Sequence, residues 1–279
     1  MDAIFAIRNG KLIPKETASV SVYNKAFFFD FSVYSNIKVV QGRMFMPHLE
    51  IVKLFESADI IGVKHNFNAE EVVGWARELI KADGIKDALI RVLLIGQEDG
   101  FEPFLFLFPV GLTFYPKVFY KHGVKVITYN GERFMPASKT KNLLLNYIAY
   151  REAAKQKAID ALLVDRFGNI CEGTRSSFFV IQNNTLIMPP REKVLEGVTR
   201  KTIMDIAPKI MNVKEQDIPL EMINQYDECF ISATTMDIMP VSQINDVKLR
   251  QKAGEKVKSL QELYKDLVEK KPNRNSYYV

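Results

Sequence analysis

The stretch Gly111-Leu112-Thr113-Phe114-Tyr115-Pro116-Lys117 constrains the architecture of this 279-residue chain more than any other. It reads as a connection between two domains. About 110 residues precede it, a reasonable size for a domain with its own core. The expectation is a smaller α/β domain over residues 1–112, a linker over 113–122 and a larger domain over 123–279, α+β overall.

Turn chemistry orders the first of these. Asn9-Gly10 is a favoured two-residue hairpin turn between apolar runs at 4–7 and 12–13. A second hairpin pairs 36–40 with 43–46 about Gln41-Gly42. It follows the aromatic run 27–34, in which Phe27, Phe28 and Phe29 are consecutive. Such a run is expected in the core, with a pocket wall as the second reading and Tyr34 offering a hydroxyl. Pro47 suits the first turn of a helix and Gly62 its stop. Asn68 caps a second helix over 69–81. Asp83-Gly84 leads into an apolar strand at 88–95 that contains Arg91. A turn at Glu98-Asp99-Gly100 and a strand at 104–110 close the domain. The second domain reads as short strands at 124–128, 160–164, 178–181, 186–188, 228–232 and 238–241. Helices are expected after Lys139, over 201–210 and over 251–268, with a short one at 220–225 and a polar tail at the end.

Composition excludes several classes. The chain is 47% apolar and 25% charged, ordinary for a soluble globular protein. No apolar run is long enough to span a membrane. The opening Met1-Asp2-Ala3-Ile4-Phe5 lacks the features of a secretory signal, so a cytoplasmic protein with Cys171 and Cys229 as free thiols is expected. His48, His65 and His122 show no metal-ligand spacing, so no metal is expected. The net charge of +5 suits an anionic substrate or cofactor. It is spread evenly rather than gathered in a stripe, which argues against a nucleic-acid partner.

Chemistry gathers around Ser138-Lys139-Thr140-Lys141-Asn142-Leu143-Leu144. Lys139 follows the loop proline Pro136 and is expected at the mouth of a helix, among apolar neighbours. A partly buried amine at the positive end of a helix is suited to Schiff-base chemistry. Taken alone it is a solvated lysine. Three further stretches accompany it. Glu172-Gly173-Thr174 puts a carboxylate on a strand after a hairpin. Gly197-Val198-Thr199 puts a glycine and a hydroxyl at a helix N-terminus, a ready anion site. Thr234-Thr235 puts hydroxyls at a strand end. Singly these read as a loop acid, a helix cap and strand-end polar residues.

Their order and spacing carry more. Lys139 to Leu144, Glu172-Gly173-Thr174, Leu195-Glu196-Gly197-Val198-Thr199-Arg200 and Ser232-Ala233-Thr234-Thr235 with Met239-Pro240-Val241 resemble the successive motifs of class IV aminotransferases. These are the fold-type IV pyridoxal-phosphate enzymes: branched-chain aminotransferases, D-amino acid transaminases and aminodeoxychorismate lyases. The resemblance spans nearly the whole chain. It implies a second domain built on a β pseudo-barrel, pyridoxal 5'-phosphate as cofactor, and assembly as a homodimer or larger homo-oligomer. Lys139 would carry the cofactor as an internal aldimine. Glu172 would pair with the pyridine nitrogen, Leu195 would pack on the ring, and Val198, Thr199, Thr234 and Lys53 would hold the phosphate. Tyr34, Lys38, Arg91 and Thr235 would face the substrate.

The sequence departs from the family in its first half. Lys53 stands where the family has an arginine, keeping the charge without the fork. Glu50 stands where it has a histidine, and Ser35 where an acid follows the aromatic residue. Subgroup signals divide. Ile95 before Gly96 argues against the D-amino acid transaminases, while Asn142 after the lysine resembles them and the lyases. The reading is an aminotransferase acting on a hydrophobic, branched-chain amino acid and 2-oxoglutarate. A D-amino acid transaminase, a pyruvate-releasing lyase and a non-catalytic scaffold are the alternatives.

Overall fold

The structure is a computed structural model describing residues 3–98, 101–249 and 253–269. The turn expected at Asp99-Gly100, the start of the last helix at Gln251 and the polar tail lie outside the described residues. The chain divides into two units. Of the described residues, unit 1 holds those up to Thr113 together with Ser138–Asn142, and unit 2 holds Phe114–Ala137 and those from Leu143 to Glu269.

In unit 1, β1 (Phe5–Arg8) and β2 (Lys11–Pro14) form the first hairpin. Asn9 (φ 45°) and Gly10 (φ 79°) both take the left-handed conformation that a tight hairpin turn demands. The short helix α1 (Lys25–Phe28) precedes β3 (Ser32–Val40) and β4 (Arg43–Phe45). Helix α2 (Pro47–Ile61) begins on its proline and ends at Gly62, whose φ is 80°. Helix α3 (Ala69–Ala82) is capped by Asn68, whose side chain accepts from the Glu71 amide. Strands β5 (Ala88–Ile95) and β6 (Phe104–Val110) complete an antiparallel sheet in the order β2-β1-β6-β5-β3-β4. Alternation along β3 decides what the sheet presents. Val33, Ser35, Ile37 and Val39 are buried, and the first, third and fourth join residues of α2 and α3 in one core. Tyr34, Asn36 and Lys38 project to the other face, half-buried.

Unit 2 starts with α4 (Lys117–His122), inside the stretch that the sequence presents as a connection, and β7 (Val124–Asn130). Helix α5 (Leu144–Lys155) and strands β8 (Asp160–Val164), β9 (Ile170–Gly173), β10 (Ser177–Gln182) and β11 (Thr185–Met188) follow. Then come α6 (Val198–Ile206), β12 (Asn212–Glu215), β13 (Glu228–Ala233), β14 (Asp237–Ile244), β15 (Val247–Lys248) and α7 (Glu255–Glu269). Strand pairing runs β10-β13-β14-β7-β8-β9 and returns from β9 to β10, closing a six-stranded barrel. All six strands feed one apolar cluster, among them Val126, Leu162, Ile170, Phe178, Ile231 and Met239. A second cluster packs α6 and α7 against β10, β11 and β13, and a third packs α5 against β7 and β8. The expected pseudo-barrel is present.

Two expectations are corrected. Phe27, Phe28 and Phe29 are not core; they are exposed by 42%, 76% and 73%. A one-turn helix splays consecutive side chains about 100° apart, and only Ala26 of α1 turns inward. The helix expected over 201–210 starts three residues earlier, on the uncapped Gly197, and gives way at Ala207 to a 3-10 turn containing Pro208.

Candidate active site

Lys139 belongs to unit 1. Lys139 lies in an extended segment laid along β3. The Tyr34 amide donates to its carbonyl at 3.0 Å, the Lys141 amide donates to the Ser32 carbonyl at 3.0 Å, and Val33 bridges Thr140. The expectation that Lys139 opens a helix fails. Helix α5 starts at Leu144, five residues on, and the field of a helix end fades within its first turn. The half-buried Lys139 Nζ instead sits 5.5 Å from the Tyr34 ring centre. The Arg91 guanidinium lies 5.5 Å from the same ring, with its Nε donating to Asn36 Oδ1 at 3.1 Å. Tyr34, Lys139 and Arg91 are thus brought together. Lys38 lies two positions from Asn36 on the same sheet face. Lys53, on α2, makes an ion pair with Glu56 at 2.9 Å.

The two departures at 35 and 50 meet each other. Ser35 Oγ donates to Glu50 Oε2 at 2.5 Å, with both residues almost fully buried. A buried carboxylate needs such a donor.

Unit 2 holds, by itself, a buried carboxylate and an anion cradle. Glu172 lies on β9 and is buried. Arg133 Nη1 donates to its Oε1 at 3.1 Å and the Leu195 amide to its Oε2 at 3.2 Å. Burial pushes the Glu172 carboxyl above the usual carboxylate range, against the opposing pull of Arg133 and the Leu195 amide. Gly173 is required beside it, because a Cβ there would run into Ser176 Oγ and the Asp160 carboxylate. Thr174 then donates its hydroxyl to Asp160 Oδ1 at 2.5 Å, and its carbonyl accepts from Asn146 Nδ2 at 2.6 Å. The Glu-Gly-Thr stretch is therefore locked to β8 and α5. Leu195 is half-buried in the loop before α6.

At the start of α6 no side chain caps Gly197, and a Cβ added to Gly197 would meet no atom within 4 Å. Val198 and Thr199 supply amides of its first turn. Thr199 is 3% exposed, yet its hydroxyl makes no hydrogen bond among the described residues. A buried hydroxyl without a partner, at a helix end with unclaimed amides, is built for an anion. Thr234 and Thr235 are half-buried in the turn between β13 and β14.

Residues 32–244 match the family described as amino-transferase class IV. The chain belongs to that family. This class IV aminotransferase is 27% identical over 275 residues to a Methanocaldococcus jannaschii protein provisionally named a branched-chain-amino-acid aminotransferase, covering 93% of this chain and 94% of that one. It is 26% identical over 250 residues to a D-alanine aminotransferase of Bacillus licheniformis, covering 85% and 87%. Among solved structures, the branched-chain aminotransferase of Thermoproteus uzoniensis with norvaline gives a TM-score of 0.86 at 25% identity, covering 95% of this chain and 94% of that one. The T.th. branched-chain enzyme with pyridoxamine 5'-phosphate gives 0.90 at 22% identity, a likeness of fold, covering 100% and 99%. The family's cofactor is pyridoxal 5'-phosphate, and the chain fits it. The orphaned Thr199 hydroxyl and the α6 amides suit its phosphate, and the buried Glu172 suits its ring nitrogen.

Sequence reasoning missed Arg133 and Asn36. Arg133 pairs with a residue 39 positions away, and Asn36 with one 55 positions away. Neither separation leaves a local pattern. No helix among the described residues is long and apolar enough to cross a membrane.

Proposed function

We propose that this class IV aminotransferase moves an amino group between a hydrophobic, branched-chain amino acid and 2-oxoglutarate, with Lys139 as the amine that holds the cofactor. The substrate class rests on the sheet face of unit 1 turned away from α2 and α3. Residues directly opposed across antiparallel strands project to one face. Tyr34 opposes Leu93, which opposes Phe106; Asn36 opposes Arg91, which opposes Phe108. An apolar floor of Leu93, Phe106 and Phe108 thus carries the cations Arg91 and Lys38 and the Tyr34 hydroxyl. That combination suits an apolar side chain in one half-reaction and a second carboxylate in the other. The norvaline bound by the Thermoproteus uzoniensis relative supports the same reading.

When bound, pyridoxal phosphate supplies an aldehyde that condenses with amines and a ring that accepts the electron pair freed at the substrate Cα. The rest falls to the chain. Val198, Thr199, Thr234 and Lys53 would hold the phosphate. Glu172, steadied by Arg133, would accept a hydrogen bond from the ring nitrogen and favour its protonated form. Leu195 would pack against the ring. Lys139 would hold the cofactor through its amine and, as the base beside the substrate, would move the proton at Cα. Arg91 and Lys38 bind carboxylates, and Tyr34 and Thr235 orient the substrate.

Homodimer assembly is part of this proposal. The exposed apolar surface at Val22, Tyr23, Phe28 and Phe29 supports it. A cytoplasmic location is supported by two free, buried cysteines.

The test is spectroscopic. Pyridoxal phosphate should give the wild type a visible absorbance band that Lys139→Ala lacks. L-valine or L-leucine should convert that band, and 2-oxoglutarate should restore it. A mutant that keeps the band removes Lys139 from the role. Conversion by D-alanine alone, or pyruvate release from aminodeoxychorismate with the band unchanged, replaces the substrate assignment by the corresponding alternative.

A further inference from the structure

Ser57 sits on α2, is 3% exposed, and lies 82 positions from Lys139 in sequence. Its hydroxyl hydrogen is committed to the Lys53 carbonyl at 2.9 Å. That leaves its lone pairs to accept, and the Lys139 amide donates to them at 3.1 Å. One oxygen therefore joins the main chains of the two lysines. The contact is doubled, because Ser138 Oγ donates to the Ser57 carbonyl at 3.0 Å and Ser138 is fully buried. On its other side Lys139 is held by the Tyr34 amide. The amide and the carbonyl of Lys139 are thus both satisfied, one by a helix and one by a strand.

We infer that Ser57 is a positioning residue that fixes the main chain of Lys139 and ties it to the helix turn bearing Lys53. The functional weight of this rests on the reading of Lys139 given above. A lysine that must reach one atom on the cofactor and then one on the substrate works from a fixed base, with only its own rotamers free. A serine hydroxyl bonded to the carbonyl four residues back gives that base without occupying the amine. Ser57→Ala removes the acceptor and leaves the Lys139 amide without its partner. Ser57→Thr keeps the hydroxyl, since threonine in a helix makes the same backward bond.

The experiment compares wild type, Ser57→Ala, Ser57→Thr and Ser138→Ala as full chains. The first readout is amide exchange by mass spectrometry without cofactor. Ser57→Ala should speed exchange in the peptide spanning 138–141 by about tenfold or more, with β1 and β2 unchanged. Ser57→Thr should sit near wild type, and Ser138→Ala between. The second readout is retention of the cofactor's visible band on dialysis, which Ser57→Ala should shorten at least about fivefold and Ser57→Thr restore. Unchanged exchange at 138–141 in Ser57→Ala overturns the inference. So does exchange that quickens equally throughout unit 1, since the serine would then merely hold the fold together. If the exchange pattern holds while Lys139→Ala keeps its band, the clamp stands and the reading of Lys139 fails.

Discussion

Removing Arg133 tests the carboxylate half of the site. Arg133 and Glu172 side chains are 8% and 7% exposed, with Nη1 and Oε1 3.1 Å apart. Arg133→Met leaves a buried carboxylate with the Leu195 amide as its remaining hydrogen-bond donor of those described above. Stripping one partner from a buried ion pair costs about 3–5 kcal/mol. In a chain of this size that lowers the unfolding midpoint by roughly 6–20 °C. The sign with pH follows from Glu172. Burial raises its carboxyl above the ordinary value. Between that value and the raised one the unfolded chain has released the proton while the folded chain keeps it. Stability therefore falls as pH rises through that window. Arg133 opposes the rise, so its loss extends the window upward. The deficit of Arg133→Met should therefore grow as pH rises through that window. Adding Glu172→Gln should recover most of it, because the amide still accepts from Leu195 and carries no charge. Thermal unfolding followed by circular dichroism, without cofactor, reads all of this. A deficit that does not grow with pH, or a double variant no more stable than the single, refutes the argument.

Two further outcomes follow from the same geometry. Thr199→Val replaces an unpartnered buried hydroxyl by a near-isostere, so the cofactor-free protein should be as stable as wild type, while pyridoxal phosphate binds roughly 10–150-fold more weakly by absorbance titration; unchanged affinity takes Thr199 out of the phosphate site. Arg91→Ala should raise KM for 2-oxoglutarate by roughly 10–100-fold with kcat for an apolar donor little altered, and Arg91→Lys should recover only part, since lysine lacks the fork; equal loss toward both substrates in steady-state kinetics counts against Arg91 as a carboxylate ligand.

What the sequence revealed was whatever is written locally. Asn9-Gly10, Pro47, Gly62 and Asn68 each force the backbone within a few residues, and each does so in the structure. The order of chemical stretches from Lys139 to Thr235 was legible for the same reason. The setting of Lys139 was not. Leu143 and Leu144 begin a helical apolar spacing that is easily extended back to the lysine, but hydrogen bonds from Tyr34 and to Ser32, about a hundred residues away in sequence, draw residues 139–141 out as a strand-like segment. Long-range pairing overrides a weak local preference. The phenylalanine run misled because hydrophobicity was read without a period, and consecutive residues of a single helical turn face different ways. Arg133, Asn36 and Ser57 act on partners 39, 55 and 82 positions distant, and no motif announces them.

The Ser35–Glu50 bond also bears on how such a site changes over generations. Against the acid and histidine that the family places at these two positions, the carboxylate has crossed from strand to helix. Read along the chain, that is two lost motif residues; read in space, it is one exchange. The order of steps matters. An intermediate with acids at both 35 and 50 sets two buried like charges together, whereas serine facing histidine leaves a neutral pair. Between the two arrangements, serine before glutamate is the order that avoids facing acids. With Glu50 in place, an acid cannot return at position 35 without setting two buried acids together.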